Sequence, residues 1–532
     1  MTGVDARTMG IVRSGLSVVA DAMGITVVRA AYSTTIKGSA DVSSGLFDCR
    51  GRLVALSDVS MIGHLAPLRS ASSSILADFP PSSMAPGDVF IMNDPYRGGV
   101  HANDMQVFRP VFVDGAARYL AGTMVHVADV GGTSPGGLSG NVTDMFQEGL
   151  TLPPVRLHRA GQPVTDVYNI IAANSRTPEM AVGDVRALMA GTAAGERELL
   201  ALIDRLGPDG AGVLEAGIDA LLAYSASRAR AKIVEFGPGT SRGEAVIDDD
   251  GVRFGEPLRV RVTVSVDGST MTVDFTGTDG QALGPISAPE GPALSAALYG
   301  AVVLMGDADI PVNEGLFEPL AIVRPEGSLV APRRPAGANA RGFTMLAMID
   351  AMIEAMVVRH PERAIAGSGL NHVMTLSLAA DGAHPRTLMD IDYGGSGARS
   401  GADGVDAHGY AIFGGRSNIA PMELVESEHA VVYECHRIRR RSGGDGRWRG
   451  GRGVEKRLRV LADGSLTVRA DKVVFPPKGA DGGVDGAAGG WVVNAGLPTE
   501  RRLRSKETNV PVATGDTVTM LTSGGGGFGQ PG

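Results

Sequence analysis

The chain has 532 residues, 43% hydrophobic and 20% charged, an ordinary globular balance with length for roughly two to four domains. A net charge of −9, from 49 basic and 58 acidic residues, argues against a general nucleic-acid or acidic-membrane binder. Only two cysteines occur, Cys49 and Cys435, in no C-x-x-C unit; this excludes a disulfide scaffold and fits a reducing cytoplasm.

In chain order, Met9, Val12, Leu16, Val19 and Met23 recur at helical spacing and predict a buried first helix within residues 5–31. Asp41 to Asp48 and the run after Arg50-Gly51-Arg52 read as two short strands around a glycine turn. Asp88 to Asn93 reads as a buried strand, followed by a polar loop, and Tyr119 to Val127 as another strand. Val182–Leu206 and Val213–Phe236 form an expected helical hairpin broken at Gly207-Pro208. Alternating valines from Val260, then Asp267-Gly268, predict a hairpin with a type I′ turn. Met345, Ile349, Met352 and Met356 lie on one face of a helix, and this stripe reads as core. The last 140 or so residues are glycine-rich with short valine runs, read as β. The longest apolar stretch, Ala293 to Met305, is shorter than the ~20 residues of a membrane span, and the N-terminus shows no signal-peptide pattern.

The expected fold is α+β: a large, β-rich mixed fold with a helical hairpin insertion and glycine-rich turns. Four regions are expected: 1–177, 178–240, 241–380 and 381–532. Glycine, at 75 residues, is roughly twice the usual 7%, which predicts many tight turns and close backbone approaches. The terminal run Ser523 to Gly529 reads either as an anion cradle or as a flexible tail.

Among ten histidines, two sit in matching polar clusters, His101-Ala-Asn-Asp104 and His126-Val-Ala-Asp129. Imidazole nitrogens with carboxylate oxygens suit Zn²⁺, Mn²⁺ or Fe²⁺. The structural alternative is that the histidines bond buried backbone and the aspartates cap turns. Asp94 reads as a turn starter or as a group orienting a ligand imidazole, and Asp129 carries the same pair of readings. Glu148 is either a base or a surface residue at a helix end. Asp41 and His64 are weaker candidates, and Cys49 reads as a packed thiol rather than a nucleophile. No G-x-x-x-x-G-K-[ST] phosphate loop occurs, so a nucleotide is not expected in that kind of site.

Several motifs together carry a resemblance. Asp41-Val-Ser-Ser-Gly-Leu-Phe-Asp48, Asn93-Asp-Pro-Tyr-Arg-Gly-Gly-Val-His-Ala-Asn-Asp104 and His126-Val-Ala-Asp-Val-Gly-Gly132 keep their order with Asn174-Ser-Arg-Thr-Pro-Glu179, Asn313-Glu-Gly315, Arg449-Gly-Gly-Arg-Gly453 and the terminal glycine run. In this pattern the chain resembles the hydantoinase B/oxoprolinase family, over nearly its whole length. The resemblance implies a B-type subunit of an ATP-dependent cyclic-amide hydrolase. It implies a hydantoinase A-type ATPase partner, which would hold ATP and Mg²⁺ and activate the substrate. It further implies a divalent metal on His101, Asp104 and His126, with Asp129, Asp94 or Glu148 positioning water or taking its proton. The other members of the family point to a second reading, a subunit of an acetone- or acetophenone-type carboxylase acting on a ketone. A third reading is a metal-free scaffold for the partner. Ser44-Gly45 stands where a Ser-Cys pair is common in the family, and Arg441-Ser-Gly-Gly444 where Asp-Ser-Gly-Gly is usual.

Overall fold

The computed structural model describes residues 4–39, 41–307, 309–379, 386–410, 412 and 418–532. The N-terminal half is built on one antiparallel sheet. Its strands are β1 (Val42–Asp48), β2 (Leu53–Leu56), β3 (Val89–Met92), β4 (Asp104–Val113), β5 (Ala116–His126), β6 (Val155–Arg159) and β7 (Gln162–Pro163). Their order across the sheet is β2-β1-β5-β4-β3-β6-β7. Alternation along β4 sends Val107 to one face and Phe108 to the other, and both are fully buried in separate apolar clusters. Both faces of the sheet are therefore covered.

One face carries α1 (Ala6–Ala30), the short α2 (Thr34–Ser39) and, later in the chain, α4 (Thr165–Ala173), α5 (Pro178–Arg205) and α6 (Gly210–Phe236); α3 (Leu65–Asp78) lies on the other. The expected hairpin of α5 and α6 is present and breaks at the expected Gly207. It lies against α1 and the sheet rather than standing apart. Glycines set the α1–α5 distance: a Cβ on Gly191 would meet Val27 at 2.4 Å, and one on Gly195 would meet Met23 at 2.5 Å. By length and composition alone α1 is apolar enough to cross a membrane; in this fold Val12, Leu16, Val19, Met23 and Val27 are buried along one of its faces.

A second sheet holds β8 (Gly239–Ile247), β9 (Leu258–Asp267), β10 (Thr270–Asp274) and β11 (Leu320–Val323), and it packs with α7 (Glu290–Met305) and α8 (Gly342–Arg359). The β9–β10 hairpin departs from expectation in its turn. Asp267 pairs with Thr270, so Gly268 and Ser269 are the central residues, and of the two only Gly268 has a positive φ, 56°. One left-handed residue at the first central position is the type II′ pattern, whereas type I′ needs two.

The C-terminal part contains β12 (His372–Leu378), β13 (Arg386–Asp392), α9 (Met422–Glu428), β14 (Val431–Ile438), β15 (Val454–Val460), β16 (Gly464–Arg469), β17 (Gly490–Val493), β18 (Arg501–Leu503), β19 (Lys506–Val512) and β20 (Thr517–Leu521). They form two antiparallel sheets, β13-β12-β16-β19 and β14-β15-β20-β17-β18. Leu376, Leu466 and Val468 from one and Leu458, Trp491 and Met520 from the other share a single core, a face-to-face sandwich. The border expected between 380 and 381 lies outside the described residues; the strands flanking it, β12 and β13, pair in one sheet.

Both parts of the glycine expectation hold: many glycines have positive φ, and others allow close backbone approach. The second kind lies largely in extended segments laid side by side. Gly524 to Gly527 run through the middle of them, with backbone N–H groups donating to Ala487, Gly451, Gly367 and Val484. All four are buried, so the terminal run is neither a free tail nor an open cradle.

Candidate metal centre

The site is assembled by strand register. On β4 and β5, Asp104 pairs directly across from His126, which places their side chains side by side. His101 lies in the loop that enters β4, and a turn from Asp104 N–H to the His101 carbonyl (2.9 Å) folds it back over the strand end. The loop depends on Gly98 and Gly99. Gly98 has φ 103°, and a Cβ there would lie 2.4 Å from the Ala71 nitrogen of α3; a Cβ on Gly99 would lie 2.4 Å from the Asn93 carbonyl oxygen.

His126 Nδ1 lies 3.2 Å from His101 Nε2 and 3.1 Å from Asp104 Oδ1. His101 Nε2 is 3.1 Å from Asp104 Oδ2. One donor atom from each residue fits within a 4.8 Å cluster, and all three residues are buried. Burial pushes His101 down to about 3, so its imidazole is neutral, as a metal ligand must be. His126 Nδ1 faces both a carboxylate oxygen and a second imidazole nitrogen. His101 Nδ1 is buried without a hydrogen-bond partner. Two imidazoles and one carboxylate in this arrangement fit a divalent cation of the Zn²⁺, Mn²⁺ or Fe²⁺ kind with coordination positions to spare.

The cluster opens on a cavity of about 120 Å³. Asp41 and His64 line it, as do Asn339, Arg341, Asn371, Tyr393 and Arg469, none of which belongs to a motif that the sequence marks. His64 bonds Ser43 Oγ at 3.0 Å through Nδ1, and burial holds it below its usual pKa. Arg341 donates to Asp104 Oδ2 at 3.4 Å. Arg341 and Arg469 both donate to the Asn339 carbonyl oxygen, at 3.0 and 2.9 Å. At roughly 6 Å two like charges repel by about 3 kcal/mol at an effective dielectric of ~20, so the pair is an arrangement the fold must sustain. Burial, and then Arg341, pull Arg469 down to about 9, which leaves it charged near neutral pH.

Asp94, Asp129 and Glu148 do not line this cavity, and their bonds explain why. Asp129 is buried and accepts from Gly131 N (2.9 Å), Gly136 N (2.8 Å), Arg176 N (2.8 Å) and Arg176 Nη1 (3.1 Å); it staples the loop after β5. Asp94 accepts from Tyr96 N at 2.9 Å and pairs with Arg334 at 3.2 Å. Glu148 Oε1 accepts from Ala338 N at 2.6 Å and Asn339 N at 2.8 Å, while Oε2 has no partner. With Tyr96 OH donating to the Ala336 carbonyl at 2.6 Å, Asp94 and Glu148 strap down residues 334–339. That segment delivers Asn339 and Arg341 to the cavity. Cys49, whose thiol burial pushes up to about 11, donates to the Ala117 carbonyl and is a packed group, as expected.

The fold and the site thus define an α+β chain built around a buried His–Asp–His centre at the joined ends of two strands. The profile of the hydantoinase B/oxoprolinase family matches residues 5–531, and the chain belongs to that family. It is 31% identical to the putative B-type subunit of a D-/L-hydantoinase from Pseudomonas sp. (strain NS671), over 99% of this chain and 90% of that protein. The crystal structure of the ATP-dependent caprolactamase from Pseudomonas jessenii superposes with a TM-score of 0.91 at 26% identity, covering 99% of this chain and 92% of the other. A nucleotide-free acetone carboxylase structure matches with a TM-score of 0.88 at 18% identity, over 99% of this chain and 76% of the other, a likeness of fold.

Proposed function

We propose that this chain is the B-type subunit of an ATP-dependent cyclic-amide hydrolase. An A-type ATPase subunit would be its partner, holding ATP and Mg²⁺ and transferring a phosphoryl group to the amide oxygen of the ring. This chain would host the hydrolytic half, in which one water adds to the activated carbon, the ring C–N bond opens to leave an amine and an acyl phosphate, and a second water releases the carboxylate and inorganic phosphate. The observation that carries the reading is the convergence of His101 Nε2, His126 Nδ1 and Asp104 on one point of a small cavity. Kinship with a putative hydantoinase and a caprolactamase supports the ring-opening class.

His101, Asp104 and His126 would hold the divalent cation, which when bound supplies Lewis acidity toward a carbonyl or a water. The protein's own groups do the rest. Arg341 fixes the Asp104 carboxylate by a hydrogen bond. Asn339, bonded to both guanidiniums, sets their position. Asp94, Asp129 and Glu148 act by positioning, through the loops they hold. Apolar side chains including Leu138, Phe343 and Ile391 exclude bulk water from the cavity.

The test has two parts. Metal analysis of the purified chain should find close to one divalent ion per chain, lost in His101→Ala and in His126→Ala; equal metal in all three proteins overturns the centre. In complex with its A-type partner, the wild type should hydrolyse ATP in response to a cyclic amide. A requirement for bicarbonate would overturn the hydrolase reading in favour of a carboxylase.

A further inference from the structure

The cavity above the metal centre is lined by two buried guanidiniums whose donors are not fully engaged by the protein. Arg469 is only 7% exposed, and among the described residues no carboxylate lies within 4.0 Å of it. Its Nη1 donates to the carbonyl oxygen and to Oδ1 of Asn339, at 2.9 and 3.0 Å, both neutral acceptors. Arg341 shares that carbonyl oxygen. Its one ion-pair contact, Asp104 Oδ2 at 3.4 Å, is an oxygen that also serves His101, and its Nε is buried with no hydrogen-bond partner. The carboxylates of Asp41 and Asp104, which also line the cavity, balance the two guanidiniums. A divalent cation would add two further positive charges, which among these groups only Glu148 could offset. Glu148 stands behind this wall and commits Oε1 to two backbone N–H groups. Buried charge without a partner is costly, and a guanidinium's planar fork matches a two-oxygen anion.

We propose that Arg469 and Arg341 form an oxyanion subsite that receives a negatively charged group carried by the substrate, while Phe343, Met389 and Ile391 face its apolar part. Two sources supply that chemistry: the phosphoryl group added on activation, or a carboxylate on the ring itself. The identity of the substrate rests on the hydrolase reading; the subsite does not, because it is defined by the unengaged donors of Arg469 and Arg341 beside the metal centre.

The test is a calorimetric titration of the full-length Mn²⁺-loaded chain with inorganic phosphate and, separately, with acetate, in the absence of ATP and cyclic amide. The wild type should bind one of them, and Arg469→Gln should bind it at least about tenfold more weakly, the loss expected for one charge-assisted hydrogen-bond partner. Metal content should be unchanged, and Arg469→Lys should fall between. Preference for phosphate assigns the subsite to the phosphoryl group, and preference for acetate to a ring carboxylate. No binding by the wild type, or equal binding by the wild type and Arg469→Gln, overturns the subsite. Should Arg469→Gln fail to fold, as judged by its thermal transition, the ratio of wild type to Arg469→Lys decides by the same rule. An anion site in a complex lacking amide-dependent ATPase would sink the hydrolase reading and leave the subsite standing.

Discussion

Glu148 shows how a residue can matter to a site it does not touch. Burial pushes its carboxyl from an ordinary 4.5 up to about 7, against the two backbone donors that favour its ionised form. Between those values the folded chain binds more protons than the unfolded chain, so this residue's contribution is present below about pH 4.5 and is lost as pH rises through 7. The full effect is on the order of 3 kcal/mol. Glu148→Gln keeps an acceptor for Ala338 N and Asn339 N and cannot ionise. Its denaturation midpoint should match the wild type near pH 4.5 and exceed it at pH 8; midpoints that move in parallel would clear Glu148 of this role. The residue scale also shows where a sequence is legible and where it stops being so. His101, Asp104 and His126 stand out because two adjacent strands, and the loop entering one of them, carry them in short, recognisable clusters. Arg341 sits 237 residues from the Asp104 it touches, and no spacing rule links them. Asp94, Asp129 and Glu148 have the chemistry of a base, but each commits at least one carboxylate oxygen to backbone N–H groups and so holds chain in place.

At the scale of elements, β13 is a strand with two distinct faces. Met389, Ile391 and Tyr393 line the cavity, while Asp390 and Asp392 point the other way, onto Lys456. Lys456 is 1% exposed, and its Nζ lies 2.9 Å from Asp390 Oδ1 and 3.0 Å from Asp392 Oδ2. Tyr433 OH adds a bond to Asp390 at 2.8 Å, and His436 Nε2 lies 2.8 Å from Asp392. This clamp fixes the cavity wall from behind. Lys456→Met would leave two carboxylates buried without their cation, at a cost of about 3–5 kcal/mol. Chemical denaturation should show that loss, and the triple change with Asp390→Asn and Asp392→Asn should recover most of it. If the single variant is as stable as the wild type, the clamp has no energetic weight. Elements with one buried face are readable from sequence by their periodicity: α1, the α5–α6 hairpin and the β9–β10 pair. Short buried strands such as β1 and β3 are readable from the turns and polar residues that bound them, but helices hidden on most sides are not. In α7 apolar residues surround the axis, so no stripe marks it, and in α3 a run of serines around Ala71 blurs the pattern.

At the scale of the whole molecule, the glycine excess that composition announces proves to have a particular place. The chain has an excess of glycine, and turns are its commonest use, yet several of these glycines have ordinary φ angles and owe their identity to space. A Cβ on Gly525 would stand 2.0 Å from the Ser396 carbonyl oxygen, one on Gly524 1.8 Å from that of Ser442, and one on Gly450 2.0 Å from that of Gly525. Backbones this close can hydrogen-bond to several neighbours at once. Gly525 N donates to Gly451 O at 2.8 Å while its own carbonyl accepts from Gly444 N at 2.9 Å. The chain's last segment therefore knits together residues 394–397, 442–453 and 478–486, a layer that no apolar pattern announces because its commonest residue is glycine and most of the rest are polar or charged. Gly525→Ala must push backbone against backbone, which no rotamer change can relieve, so the cost should exceed the ~1–3 kcal/mol usual for overpacking. Gly490→Ala is the matched control, since a Cβ there meets nothing within 4 Å and glycine-to-alanine is worth only about 0.5–1 kcal/mol within a strand. Thermal unfolding of the two variants should separate them widely, with Gly525→Ala melting far lower or failing to accumulate as folded protein. Equal melting temperatures would mean that the glycine layer yields easily and does not hold the C-terminal half together.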